Sequence, residues 1–386
     1  MAKWIAGRAK VKIFYATSVL GDIGGSEVYT RDLLKELLRR GHELCVFTSC
    51  NYQLKGAQMH FAPVFGHHAF HKFQAVLSLK KALKAAEKFN PDIVQSHSNS
   101  LMGWVGSKAR QQQKVPHVFL IESISSDNHN LHTKTVFEME KKMLPKIDYD
   151  KIVVWTKLMK EKFLIPWGVD EKKIEIIPPA VNINISEFEA KPEIIRKKYG
   201  KNLITTMKSL WSTSAKGIEY IIDAMPMVLE EHPEYKYVIF GGGKEKQALE
   251  KKVSKMNLSE SIFFHGYIQP DMWNSVAKAT TVAPHSFVYE LSISMSLMEY
   301  LARGVPCVVT DIGSAKEVVR DAALVVKARD PKAIAIGITR VIESKNLQKK
   351  LSKKAKRLVR EKYSIKHSVD LLEEIYSKLA KKRGMT

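Results

Sequence analysis

The sequence predicts an α/β protein built from two doubly wound, Rossmann-like domains. Three observations predict it. Short, near-continuous apolar runs alternate with amphipathic helical segments along the whole chain. There are about eleven such runs, more than one doubly wound sheet comfortably holds. At 386 residues the chain is too long for one ordinary core and about right for two.

The elements follow in order. "VKIFYAT" is the first strand, "SEVYTRDLLKELLRRG" an amphipathic helix closed by Gly41, and "HELCVFTS" the next strand. "PDIVQSHS", "HVFLIES", "KIVVWT" and "IEIIPP" continue the first half. "LITTMKSL", "KYVIFGGG", "SIFFHG", "TTVAPHS" and "PCVVTDIG" make up the second. Uninterrupted apolar strands with helices between them imply parallel sheets covered on both faces. The stretch "PPAVNINISEFEAKPEIIRKKYGKN" lacks strong periodicity and reads as the boundary. The expected domains are 1–187 and 188–365, with a C-terminal helix over 366–386 crossing back to the first.

With 45% hydrophobic and 26% charged residues, the composition is that of an ordinary globular protein. No apolar run reaches the ~18–20 residues that cross a bilayer. The opening "MAKWIAGRAKVKIFYATSVL" has charges before an apolar run, as a signal peptide does. Its apolar part runs directly into a strand and glycine loop, so it reads as a first strand with a basic tail. Cys45, Cys50 and Cys307 form no CxxC, which argues for a reducing compartment and against a zinc site. Lys and Arg number 62 against 40 Asp and Glu, a net +22. That excess favours lipid headgroups, nucleic acid or phosphorylated ligands. A Lys- and Glu-rich composition of the thermophile kind produces the same total.

In "ATSVLGDIGGSEVYT", Gly24 and Gly25 open a helix whose N-terminal amides suit an anion. A nicotinamide site needs GxGxxG and an acid about 20 residues on. Here the loop is GxxGG and the second strand ends in Thr48-Ser49-Cys50-Asn51, so a dehydrogenase is not supported. A tight turn without a ligand remains the alternative. "FGGGKEKQALEK" lacks the GK[ST] of a P-loop, and reads as a second phosphate or base site or as a plain strand-to-helix turn. Asp148-Tyr149-Asp150 has the form of a metal-holding DxD but sits in a polar turn, where Asp is a turn former. His67, His68 and His71 lack accompanying carboxylates at helical spacing, so no metal site is expected.

"YELSISMSLMEYLARGVP" carries Glu290 and Glu299 around an apolar run. A helix from about residue 292 to 303, capped by Gly304, puts Glu299 just outside the apolar arc. Two readings stay open: an i,i+4 ion pair with Arg303 worth ~0.2–0.5 kcal/mol, or a carboxylate accepting from sugar hydroxyls at the sheet edge.

These stretches together resemble the retaining nucleotide-sugar glycosyltransferases of family 4, with the GT-B fold. "GGSEVYTRDLLKELLRRGHELCVFTS", "PDIVQSHS", "AKGIEYIIDAM", "FGGGKEKQAL", "FFHGYI" and "MEYLARGVPCVVTDIGSAKEVV" occur in the family's order, covering almost the whole chain. The resemblance implies two domains facing a cleft, the first on the acceptor side and the second binding the nucleotide sugar. It implies that Gly24 and Gly25 line the sugar-phosphate side and that Lys216, of the "KG" pair, neutralises the donor diphosphate. Glu299 matches the second glutamate of the family's pair, at the ribose hydroxyls, and Glu290 the first, near the transferred sugar. The two are nine residues apart here where the family has eight, so Leu291 and Ser292 share that donor register. Lys208 stands in for the arginine usual before the KG lysine. Glu122 occupies the place of a histidine after "VP", and His97 matches a first-domain histidine by position. Base selection is assigned to Gly266, Tyr267 and Ile268.

The implied reaction moves a sugar, in the hexosyltransferase manner, from a UDP-, GDP- or ADP-sugar to a glycan, lipid or small-molecule acceptor. Configuration is retained and neither metal nor cofactor is needed. Cations and helix amides stabilise the leaving diphosphate. "HFAPVFGHHAFHKFQAVLSLKKALKAAEKF" carries Lys80, Lys81, Lys84 and Lys88 on one helix side. That side reads as a surface for an anionic membrane and a lipid-linked acceptor, or as a solvated helix face. The expected location is cytoplasmic, peripheral on the inner membrane face, and nucleic acid is not the expected partner. A sugar-nucleotide epimerase of the same architecture and a non-catalytic donor- or polyanion-binding homologue are the alternatives.

Overall fold

The computed structural model describes residues 4–5, 8–62, 71–124, 131–183, 189–288 and 294–381. Glu290, Leu291, Ser292, His67 and His68 lie outside them. The chain forms two compact units, Met1–Ala180 with Ile365–Thr386, and Val181–Ser364.

The first unit opens with an antiparallel ribbon of β1 (Trp4–Ile5) and β2 (Arg8–Ala9). Its main sheet holds β3 (Lys12–Thr17), β4 (Glu43–Thr48), β5 (Gln58–Phe61), β6 (Ile93–His97), β7 (His117–Ile121), β8 (Lys151–Val154) and β9 (Ile174–Ile176). The order is β5-β4-β3-β6-β7-β8-β9, every neighbouring pair parallel. Helices α1 (Gly25–Arg39), α2 (His71–Phe89), α3 (Ser100–Gln113), α4 (Leu131–Met143) and the short α5 (Lys157–Met159) lie along it in sequence. Every residue of β6 and β7 is buried, as a parallel sheet covered on both faces requires. On α2, Ala82, Ala85, Ala86 and Phe89 join the core while Lys80, Lys81, Lys84 and Lys88 face solvent.

The second unit holds α6 (Pro192–Tyr199), β10 (Leu203–Met207), α7 (Ser212–Glu231), β11 (Lys236–Phe240), α8 (Lys246–Lys255), β12 (Ile262–Gly266), α9 (Trp273–Ala279) and β13 (Thr280–His285). α10 (Met295–Arg303), β14 (Cys307–Thr310), α11 (Ala315–Val319), β15 (Leu324–Val326), α12 (Pro331–Glu343) and α13 (Lys345–Lys362) complete it. Its six parallel strands run β12-β11-β10-β13-β14-β15. Ile218, Ile221, Ile222, Met225 and Val228 recur at helical spacing on α7 and are fully buried with Ile334, Ile338 and Val341 of α12. In each sheet the strand order reverses once, between β3 and β6 and between β10 and β13. Ligands of doubly wound sheets bind beyond the carboxyl ends of the strands at such a reversal.

The chain returns to the first unit through α14 (Ile365–Lys381). Its anchor is Arg40, just past α1, whose guanidinium donates to Asp370 Oδ1 at 2.7 Å, Glu373 Oε2 at 2.8 Å and Glu36 Oε1 at 2.9 Å. His42 Nδ1 accepts from Val11 N–H, so Nε2 carries the proton and donates to Glu373 Oε1 at 2.9 Å. Burial lowers the His42 pKa, against the opposing pull of the Glu373 carboxylate. Tyr376 hydrogen-bonds the side chain of Gln95 inside the unit. Arg40→Ala removes the guanidinium set on Glu373, whose side chain is 9% exposed and which keeps His42, while Glu36 keeps the fork of Arg39. It is expected to cost ~2–4 kcal/mol in denaturant unfolding, with Arg40→Lys recovering only part. A loss under ~1 kcal/mol would class the cluster with ordinary surface pairs.

Candidate functional site

In the second unit, Lys208 follows β10 at the reversal point. Its N–H donates to Phe240 O at 2.9 Å, and Leu210 N–H donates to Gly242 O at 2.9 Å, so the backbone after β10 zips onto the glycine loop after β11. Gly241 has φ 133°, and a Cβ there would overlap the Lys208 carbonyl. Lys208 Nζ lies 4.4 Å above the Phe287 ring, with Ser286 O at 3.4 Å. Lys216, exposed in the second turn of α7, precedes Gly217, where a Cβ would overlap Ser286 O and stand 3.8 Å from Lys208 Nζ. Small residues at these two positions let three backbone segments and Lys208 close on one another. Trp211, the residue before α7, makes no side-chain capping hydrogen bond, as an indole has no acceptor to offer the first-turn amides.

Gly266, at φ 92°, accepts from Gly241 N–H at 2.7 Å. Tyr267, 60% exposed, donates its hydroxyl to Gly242 O at 2.8 Å, which lays its ring beside the glycine loop. Ile268 turns inward against a small core of Tyr199, Val238 and Phe240. Lys208, Lys216, the loop 241–243, Gly266 and Tyr267 thus converge on the carboxyl ends of β10, β11 and β12. Beneath them His285 is fully buried against Phe287 and Tyr300. Burial lowers its pKa to about 3, and the Lys208 charge adds to the effect. Both its ring nitrogens and the hydroxyls of Ser286 and Ser314 are buried and find no hydrogen-bond partner among the described residues.

Glu299 takes the ion-pair arrangement. Its carboxylate meets Arg303 one turn on, and Arg303 also donates to Asn274 Oδ1 at 2.8 Å and stacks 5.4 Å from the Trp273 ring centroid. Glu290, Leu291 and Ser292 fall outside the described residues, and α10 is described from Met295 on.

In the first unit, Gly24 precedes α1 with φ 100°, and a Cβ there would overlap the Glu27 carboxylate. Glu27 is thus folded back over the start of the helix that Gly25 opens. His97 ends β6 in register with Thr17 and is fully buried. Its Nδ1 lies 3.0 Å from both the Tyr15 and Thr30 hydroxyls. Burial lowers its pKa to about 3. Glu122 follows β7, with Oε1 3.8 Å from His97 Nε2. Burial raises the Glu122 pKa to about 7, opposed by a hydrogen bond with Ser26 and reinforced by the Glu27 charge. Gln95 Nε2, Ser100 Oγ, His97 Nε2 and Glu122 Oε2 are buried without hydrogen-bond partners among the described residues. The Tyr29 and Trp155 rings meet edge to face beside them, 5.2 Å between centroids.

Tyr15, Tyr29, Thr30 and Trp155 were not legible as site residues, since aromatic and β-branched residues in apolar runs read as core. Asp148 and Asp150 are structural. Arg110 Nε holds Asp148 Oδ1 at 3.0 Å and also pairs with Asp150, which accepts from His117 N–H at 2.9 Å. Glu231, His232 and Glu343 are three potential metal ligands within reach of one another. Glu231 and His232 close α7 and Glu343 closes α12, at the far end of α7 from Lys216, and both carboxylates are exposed. Among the described residues no helix is long and apolar enough to cross a membrane.

Residues 23–185 match Glycosyltransferase Family 4 and residues 187–358 match Glycosyl transferases group 1. The glycosyltransferase MJ1607 of Methanocaldococcus jannaschii is 26% identical over 365 residues, spanning 89% of this chain and 91% of its own. The solved sucrose-phosphate synthase of Thermosynechococcus elongatus is 19% identical, covers 95% of this chain and 99% of its own, and gives a TM-score of 0.78. Anabaena HepE, solved with UDP and glucose, is 16% identical, covers 96% and 100%, and gives 0.77. The two family matches abut at residues 185 and 187 and run through the body of both units, so the chain belongs to the group 1, family 4 glycosyltransferases and has their GT-B fold.

Proposed function

We propose that the protein moves a hexose from a nucleoside-diphosphate sugar, UDP-linked in the first instance, to a hydroxyl acceptor, with retention of configuration and without a divalent metal. The observation that carries the reading is Lys208. Its ammonium is held at the carboxyl end of β10, beside the Lys216–Gly217 step of α7. When the bond from the anomeric carbon to the diphosphate oxygen breaks, negative charge collects on that oxygen. Two lysines and a helix N-terminus supply the counter-charge in place. The acceptor oxygen bonds to the anomeric carbon, and its proton leaves with the diphosphate or a nearby base.

The other assignments follow the same logic. Gly266, Tyr267 and Ile268 take the base, with the exposed Tyr267 ring as a flat surface beside the glycine loop. UDP in the HepE structure is the support for a uracil base. Glu299 takes the ribose hydroxyls, its carboxylate oriented by Arg303. Glu290, Leu291 and Ser292 take the transferred sugar. On the first unit, Gly24, Gly25, His97 and Glu122 are assigned to the sugar and acceptor. Glu27 already lies against the start of α1, so that end suits hydroxyls better than a phosphate. The acceptor is a glycan, a small molecule or a lipid. A lipid would bring the exposed lysines of α2 against an anionic inner-membrane face.

A panel of UDP-, GDP- and ADP-sugars, followed by thermal shift, tests the reading. A UDP-sugar at 100 times its Kd is expected to add ~2.7 kcal/mol of stability and to outrank the others. Sugar transfer should survive EDTA unchanged. No shift with any member of the panel would remove donor binding, and loss of transfer in EDTA would remove metal independence.

A further inference from the structure

A strongly cationic groove lies at the amino ends of β13 and β14 in the second unit. α13 carries nine cations and one acid, Glu361, in eighteen residues. Four of the lysines, Lys345, Lys349, Lys353 and Lys356, recur every three or four residues and share one side of the helix. They line a groove of about 640 Å³ whose other wall holds Lys201 and Lys278. Arg196 joins them at the mouth, donating to Lys278 O at 2.9 Å. No carboxylate lines the groove. Among the described residues, none of the six lysines is in an ion pair. The groove continues past Gly304, Pro306 and Lys356 into a neighbouring cavity of about 720 Å³ that holds Arg303, Arg360 and one acid, Glu189.

The floor is formed by Thr280, Thr281 and Pro306, at the amino ends of β13 and β14. Lys208 and Phe287 sit at the carboxyl ends of β10 and β13, so this groove is distinct from the proposed donor site.

Like charges one helical turn apart oppose folding. Some helices of this chain pair their cations with acids, as in the i,i+4 pairs Lys246–Glu250 and Lys157–Glu161. Among the described residues α2 does not, but its exposed lysines come from one helix side alone. Around this groove six lysines from three parts of the chain line one hollow with no acid among the described lining residues. Cations that converge on one open hollow from α13, from α9 and from the turn before β10 suit a compact anion with several charges. We infer that this groove binds a compact, multiply phosphorylated anion, a free polyphosphate or a nucleotide carrying several phosphates.

Titration calorimetry of the full chain with inorganic tripolyphosphate tests this. One tripolyphosphate per chain is expected, with affinity kept when UDP is saturating. Combining Lys349→Gln, Lys353→Gln and Lys356→Gln should weaken it at least about tenfold. Combining Lys80→Gln, Lys81→Gln and Lys84→Gln on α2 should change it less than about twofold, since those cations lie on the other unit. All of these lysines are exposed, so both variants should keep the parent melting temperature. Equal weakening by the two variants would reduce the effect to diffuse net charge. Competition by UDP would return it to the donor site. Binding to phosphatidylglycerol vesicles but not to tripolyphosphate would make the groove a membrane contact and end the proposal.

Discussion

Alanine at Lys208 is expected to lower kcat/KM for sugar transfer about 100- to 1,000-fold, the loss typical when one preorganised electrostatic group is removed from a catalytic site. Position argues for that size. The ammonium has Phe287 on one side and the Ser286 carbonyl on another, with the buried His285 behind them. A charge in such surroundings is less screened than one in water. Because charge grows on the diphosphate as the bond breaks, the loss should fall more on kcat than on KM. Lys208→Arg should keep the charge but fit the packed Gly217 and Gly241 backbones poorly, restoring only part of the rate. Lys216→Ala should cost less, about tenfold, since that side chain is exposed and already solvated. Unchanged thermal unfolding of the second unit would separate catalysis from folding. Turnover within threefold of the parent in Lys208→Ala would pass the principal role to Lys216.

The fold was legible because strand and helix periodicities are local. "PDIVQSHS" contains β6 and "KYVIFGGG" contains β11 together with the loop that grips Lys208. β5 and β15 escaped notice for equally local reasons. β5 mixes polar and apolar residues at a sheet edge, and β15, as short as β9, lacks the pair of prolines that punctuates the chain after β9. What could not be read is what long-range folding assembles. Nothing near Asp148 signals that Arg110 will neutralise it. Nothing near Arg40 announces partners 330 and 333 residues away. Spacing alone left Glu299 between an ion pair and a ligand role, and the fold supplies the ion pair with Arg303. The polar cluster around His97 was likewise invisible, because Tyr29 and Trp155 look like core until the fold sets Tyr29 edge-on to both His97 and Trp155.

Glu122→Gln should stabilise the first unit at pH 8 and do nothing at pH 4.5. The sign follows from proton counting. Burial raises the Glu122 pKa from its ordinary 4.5 to about 7, so between those values the folded chain holds a proton that the unfolded chain has released. Stability therefore falls as pH rises through that window and stays reduced above it. Above pH 7 the buried carboxylate thus costs ~3 kcal/mol, which the uncharged amide avoids. The buried histidines act in the opposite direction. Burial lowers His97 to about 3 and His117 to about 4, so below pH 6.5 the unfolded chain takes up protons that the folded chain refuses. Each removes ~1.4 kcal/mol of stability per unit of acidification until its folded pKa is reached. In the parent, Glu122 offsets one of these two slopes between pH 6.5 and 4.5; in the variant both act unopposed. Denaturant midpoints of the full chain at pH 5, 6, 7 and 8 should show a steeper acid limb and a higher plateau for Glu122→Gln. The same substitution should erase any inflection near pH 7 in kcat/KM, because the group that titrates there is gone. A variant less stable than the parent at pH 8 would mean that the ionised carboxylate is held by partners strong enough to outweigh its burial, and Glu122 would then be an anion in the working protein.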